Sequence, residues 1–543
     1  MRLRSSPIGQ GGARPLALAA AALLACSAST PAGSAAASQP KVLRLVITSE
    51  PPQLDSTRAT DSVSGFLLGH LMEGLTRYGK NGQIIPGIAE RWELRERSAT
   101  FHLRAATWAD GKPVTARDFV FAWRTLVDPK TASEYAFIMY PVKNAEAVNA
   151  GKLPPSALGV SAPDDRTLEV ELERPCGYFL GLTAFPSFLP VREDFYAARP
   201  NRFAADASDL VSNGPFILTR WVHGAAMTLD KNPRYWDAAR IHVDRIEVPY
   251  ITTDSNARYN LFLDGKVDTL GLEKEQLDRA QADQLRMKSF TEGSVWYLEF
   301  NHRPGRPTAN FHLRKAMQLV FDPAEYVSRV VGIPGTRPGV SFIPHWISGV
   351  KDSFRKEHPL RPVRQDLAEA ARQLDLARKD LGGRIPPIVF LTDDGPAASR
   401  HAEYFQQLFK ARLGLDVRID KQIFKQRLAK MRAGDFDVVA AGWGPDFADP
   451  MTFAELFTSW NDNNRGEYRN ARYDELIRRA QSTADPRVRM DAMAEAERIA
   501  LDEVAVLPTF ERTLIYAHQP RVAGIVRHVV GPDPDFTFAT VQP

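Results

Sequence analysis

The sequence predicts a mixed α/β protein with at least two lobes. Three observations carry this reading. The chain has 543 residues, whereas single hydrophobic cores stop growing near ~250–300 residues. Strand-like and helix-like segments alternate from about residue 42 to the C-terminus, the pattern of layered α/β lobes. Hydrophobic residues make up 44% and charged residues 25% of the chain, which excludes a disordered or fibrous protein.

The first 25 residues read as an export leader. Arg2, Arg4 and Arg14 form a basic start, and Pro15 to Ala25 is an apolar run. That run suits a signal core and is too short to span a membrane as a mature helix. It ends in Leu23-Leu24-Ala25-Cys26, which resembles the lipobox of bacterial lipoproteins and implies a lipid anchor on Cys26. An ordinary secretory signal cut near Ala35-Ala36-Ala37 is the other reading. Residues 26–40 are small, polar and proline-containing, as in a flexible tether.

The formal charge of +4 falls to +1 once the three leader arginines are set aside, because no acid accompanies them. Such a balance gives no electrostatic reason to expect nucleic acid as a partner. Of the two cysteines, Cys176 sits in Arg174-Pro175-Cys176-Gly177 with no catalytic context, and it reads as structural.

The elements follow in order. Val42 to Ile47 is β-rich. Phe66 to Leu75 has helical spacing and ends at Gly74. Thr100 to Leu103 alternates as a strand. Thr115 precedes a helix, with Asp118 at the reciprocal capping position. Asp164 to Thr167 is a turn before the strand Leu168 to Leu172. Phe216 to Thr219 and Ala226 to Leu229 form a hairpin turning at His223-Gly224. Val267 to Leu270 and Val295 to Phe300 are strands. Residues 365–380 and 399–413 are helical, Phe436 to Ala441 is a buried strand, and Glu475 to Ala500 reads as one helix.

Familiar catalytic signatures do not occur. The sequence has no phosphate-binding Gly-x-x-x-x-Gly-Lys-Ser/Thr loop, no Gly-x-Ser-x-Gly elbow and no His-Glu-x-x-His. His401 and Glu403 would point to different faces of a helix and read as surface residues. No enzyme activity, cofactor or metal is expected.

Five blocks carry a resemblance. They are Leu71 to Thr76 with Pro86 to Trp92; Phe101 to Arg104 with Trp108 and Asp110 to Phe119; Leu126 to Ser133; Asn213 to Phe216 with Asn232 to Trp236; and Gly442 to Pro450. In this order the chain resembles the extracytoplasmic oligopeptide-binding proteins of bacterial ABC transporters, solute-binding protein family 5.

The resemblance implies a two-lobe periplasmic-binding-protein fold of the large class, with an extra inserted domain and a hinged cleft. Lobe I would comprise residues 41–84, 211–297 and 512–543. The inserted domain would cover 85–210 and lobe II 298–511. Hinges would lie near Ser294 to Asn301 and near residue 511. The implied partners are a peptide ligand and the permease and ATPase subunits of an importer, and the implied state is a monomer on the outer side of the cytoplasmic membrane. Within the same fold the ligand could instead be a dipeptide, a metal chelate, haem or a cell-wall peptide. A ligand sensor and an exported hydrolase are further alternatives.

An enclosed peptide must have its charges paired and its amides bonded. Laying it against a strand edge meets the second need. The resemblance assigns the peptide ammonium to Asp446, a side-chain pocket wall to Trp443, and backbone groups to Gly442 and Gly444. Tyr135 matches a ligand-touching tyrosine, and Glu50 an acid lining a pocket for a basic side chain. Asp449, followed by Pro450, is the better helix-capping candidate. Some relatives carry an arginine three residues before the motif tryptophan, where this chain has Ala440.

Overall fold

The computed structural model describes residues 39–542. The leader and Cys26 lie outside these residues, as does the tether up to residue 38.

Three main sheets organise the chain. In the first, Val42–Ile47 pairs in parallel with Arg245–Ile251, and Ala226–Lys231 and Phe216–Val222 continue it antiparallel. Its hairpin turns at Gly224, whose φ of +70° suits a residue without a Cβ.

The second sheet is antiparallel, in the order Ala89–Arg95, Ser98–Leu103, Thr167–Glu171 and Val160–Asp164. Alternation puts Phe101, Leu103, Leu168 and Val170 on its buried face. The helix Ala116–Val127 packs there through Phe119, Trp123 and Leu126. Its capping box is formed as expected: the Thr115 N–H donates to Asp118 Oδ2 at 2.8 Å.

The third sheet has seven strands. Thr269–Leu272, Val506–His518, Lys288–Phe300, Val438–Trp443, Ile388–Asp393 and Val417–Gln422 lie side by side, and Arg337–Pro338 pairs with Val506–His518. The last three of the ordered strands run parallel to one another, and the others are antiparallel. The helices Leu367–Asp380 and Pro396–Leu413 contribute to its core around Phe390, Phe405 and Phe409.

Two strands of this sheet, Lys288–Phe300 and Val506–His518, are each 13 residues long. Their ladder is interrupted between Thr291 and Val295. Gly293 lies in that gap at φ +87°, and a Cβ there would fall 2.4 Å from Val529.

The structure corrects three expectations. Glu475 to Ala500 is two helices, Ala471–Gln481 and Pro486–Asp502. Pro486 begins the second, and the Asp485 side chain caps it by accepting from the Arg487 and Val488 N–H groups, so the pair restarts the chain. The first helix runs Ser62–Leu71 rather than on to Leu75, because Asp61 caps it through the Ser64 N–H and Met72 is already extended. His401 is not a solvated surface residue: it is half-buried and bonded to the Tyr326 hydroxyl. Among the described residues no helix is long and apolar enough to cross a membrane.

Candidate ligand-binding site

The site is built around the strand Val438–Trp443. One edge of this strand pairs with Lys288–Phe300 along its whole length, from Val438 opposite Phe300 to Trp443 opposite Val295. The other edge pairs with Ile388–Asp393 only at Val438 and Val439. Beyond Val439 that second edge leaves the ladder, and the chain continues through Gly444 and Pro445 to Asp446. A cavity of about 590 Å³ lies against this segment, and Ala441 to Asp446 all line it.

Asp446 is 9% exposed. Its Oδ1 accepts a hydrogen bond of 3.2 Å from the Tyr135 hydroxyl, and its own N–H donates to Thr452 Oγ1 at 3.0 Å. No described cation lies within ion-pair distance of it. Burial therefore pushes its carboxyl well above the usual carboxylate range. The Tyr135 bond opposes that shift, while the nearby Glu455 adds to it.

Asp449 has a different task. Its Oδ1 accepts the Met451 N–H at 3.0 Å, at the start of the short helix Met451–Ala454. Both its oxygens also take Arg489, at 2.9 and 3.1 Å.

Tyr135 comes from the second sheet's side of the cavity and is 4% exposed. Its ring stacks near Trp443, with centroids 6.1 Å apart and planes 16° from parallel. The indole N–H groups of Trp443 and Trp296 are buried, and neither has a hydrogen-bond partner among the described residues. Both line the cavity and can donate to a carbonyl there.

The two glycines differ. A Cβ on Gly442 would stand 2.8 Å from the Trp296 ring directly across the ladder, so packing within the sheet requires that glycine. Gly444 meets nothing within 4 Å and leaves open room beside the chain.

Five of the six sequence candidates thus share one cavity: Asp446, Trp443, Gly442, Gly444 and Tyr135. Glu50 lines a second cavity, of about 990 Å³. Its Oε1 accepts from Trp221 Nε1 at 2.9 Å, its Oε2 accepts the Gly224 N–H at 2.9 Å, and His223 Nδ1 lies 2.6 Å from Oε1. The carboxylate holds the hairpin turn. The buried Cys176 is far from thiolate chemistry, because burial pushes its thiol up to about 12.

Sequence reasoning missed Glu134, next to Tyr135. Its two oxygens pair with Arg432 and Arg465, and Asn463 Nδ2 donates to its backbone carbonyl at 3.3 Å. More than 290 residues separate Glu134 from each guanidinium, so no local pattern could have revealed the cluster. Two further contacts join distant stretches of the chain. Arg478 meets Glu146 at 3.1 Å, and Tyr178 stacks on Phe447 with centroids 4.5 Å apart.

A cavity walled by two lobes, with a buried carboxylate that has no cation partner among the described residues, is the layout of a two-lobe solute-binding protein. The chain belongs to the bacterial extracellular solute-binding proteins, family 5: the family described as "Bacterial extracellular solute-binding proteins, family 5 Middle" matches residues 83–465. It is 32% identical to the dipeptide-binding protein DppE of Bacillus subtilis, over 94% of this chain and 95% of that one. An oligopeptide ABC transporter substrate-binding domain from Bacillus anthracis superposes with a TM-score of 0.89 at 34% identity, covering 93% of this chain and 99% of that one. The murein tripeptide-binding protein MppA of Escherichia coli gives 0.84 at 26% identity, with 93% and 99% covered. Its unliganded open form gives 0.62 at 27% identity, with 93% and 98% covered, so this structure is less like that open form.

Proposed function

We propose that the protein captures peptides on the outer side of the cytoplasmic membrane and presents them to the permease and ATPase subunits of an ABC importer. Asp446 carries the reading. A carboxylate this deeply buried is costly unless a cation meets it, and a peptide's ammonium is a cation attached to a strand-forming backbone. The edge left open beyond Val439 offers backbone groups beside it. Membership of a solute-binding family supports the transport role, as do the peptide ligands named for DppE and the Bacillus anthracis protein.

In this reading Tyr135 orients the Asp446 carboxylate, and Trp443 walls a side-chain pocket. Glu50 acts by shaping the adjoining cavity. Lobe II spans about residues 298–511, and the lobes turn about Ser294 to Asn301, just past the ladder gap at Gly293, and near residue 511. The protein acts as a monomer, held at the membrane by lipid on Cys26.

The test is to incubate purified protein with a peptide mixture and weigh the complex by native mass spectrometry. One intact peptide per protein is expected. Peptide fragments, or retention of a non-peptide solute in place of peptide, would refute the proposal.

A further inference from the structure

We infer that the cleft reads a peptide by charge at its amino end alone and has no cation reserved for its carboxylate. The ligand class is then peptides with a free ammonium, of varied length, whose carboxyl end can equally be an acid or an amide. This inference rests on the peptide-binding reading above.

Charge bookkeeping around the cavity carries it. Five guanidiniums line the wall and no lysine does, whereas ten Asp and Glu side chains line it. Every one of the five guanidiniums already has an acid. Arg77 meets Asp237 at 3.2 Å, Arg258 meets Glu273 at 3.6 Å and Arg427 meets Asp393 at 2.9 Å. Arg465 pairs with Glu134 and Arg512 with Glu292. The one histidine on the wall, His528, lies 3.3 Å from Asp535. A peptide carboxylate could recruit one of these cations only by displacing its acid, which would strand that acid in a desolvated site.

Arg427 reaches the open strand edge: Nη1 donates to the Ala440 carbonyl at 3.1 Å, while Nε lies 2.9 Å from Asp393 Oδ1 as an ion pair. Asp446, by contrast, has no described cation partner.

The shape of the cleft gives a second, independent reason. Thr48, Ser49, Thr253, Asp394 and Phe424 line both the principal cavity and the adjoining one of about 990 Å³. A peptide anchored at Asp446 can run on through this passage, so its carboxylate falls at a place set by its length. No single fixed cation could meet all such positions. The charged group shared by the two cavities is Asp394, which is exposed and repels a carboxylate. On the adjoining wall Arg58 and Arg199 face Asp55 and Asp209, and Lys425 is exposed, where a pair with a carboxylate is worth little.

The test uses three matched pools of random tri- to octapeptides: free acids, C-terminal amides and N-acetylated acids. Retention by the purified protein is measured by mass spectrometry for each length. Amides should be retained as well as acids, within about threefold, at every length. N-acetylation should cost at least ~30-fold. The Arg427→Gln variant should leave the acid-to-amide ratio unchanged, whatever it does to overall affinity. An amide loss greater than threefold at any length would overturn the inference and leave the peptide reading standing. A ratio that moves with Arg427→Gln would do the same. Equal retention of the acetylated pool, or no retention of any pool, would remove the peptide reading itself.

Discussion

Replacing Asp446 by alanine isolates the interaction on which the proposed function rests. The carboxylate is 9% exposed and bonded to Tyr135, which is itself 4% exposed. A ligand ammonium beside it is desolvated to the same degree. Removing the acid strands that cation, which typically costs ~2–5 kcal/mol. At about 1.4 kcal/mol per decade, affinity should fall by roughly thirtyfold or more. N-acetylating the peptide removes the other half of the same pair and should cost a similar amount in the wild type. The two losses should not add, because they delete one interaction. Isothermal calorimetry on the four combinations of protein and peptide measures the coupling. Fully additive losses would place the ammonium elsewhere, and an unchanged affinity for Asp446→Ala would make the residue a loop element only.

Three further outcomes follow from the same geometry. Burial in the arrangement seen here raises the Asp446 pKa, so between the ordinary carboxylate range and that raised value the closed form holds a proton that an open form, with Asp446 hydrated, has lost. Closure without a ligand therefore becomes less favourable as pH rises through this window. In solution scattering the peptide-free wild type should expand as pH rises through the window, and Asp446→Asn should not. Glu134→Gln removes the charge shared by Arg432 and Arg465 and should weaken peptide binding by roughly tenfold, about 1.4 kcal/mol. Solution scattering of that variant should show less compaction on peptide addition than in the wild type. Cys26→Ser should move the protein from the membrane to the soluble fraction, and a wild type that is already soluble and unmodified would refute the anchor.

What could be read from the sequence was what sits close along the chain. The Thr115–Asp118 capping box, the hairpin turn at Gly224 and the run Gly442 to Asp446 each lie within a few residues, and each chemical signature survives without knowledge of the fold. The single helix expected over Glu475 to Ala500 failed at a local signal, Asp485-Pro486, which apolar periodicity outweighed. The partners of the site were beyond local reading. Tyr135 and Asp446 are 311 residues apart, and only family resemblance placed both at the ligand. Nothing in the segment around Glu134 announces two arginines that arrive from other elements. The hairpin at Phe216–Val222 was legible, but not that its turn would fold back to occupy the Glu50 carboxylate.

In the proposed reading these long-range contacts make binding and closure one equilibrium. The closed arrangement already has attractions of its own, in Glu134 with its two arginines, Glu146 with Arg478, and Tyr178 on Phe447. The paired charges Glu146 and Arg478 are half exposed, and such pairs are worth little. Against these contacts stands the cost of enclosing Asp446 without a cation. A ligand can shift the lobes only through a difference in its interaction with the open and closed forms. Here the difference is concrete. In the open form Asp446 and an ammonium are both hydrated, and their pairing gains little. In the proposed reading, closure takes water from the same two charges together and they neutralise each other, which removes a penalty that the protein's own contacts leave standing. In the proposed reading a neutral or acetylated ligand could fill the cavity and still leave that penalty in place, so the pairing that selects the ligand would also hold the cleft shut.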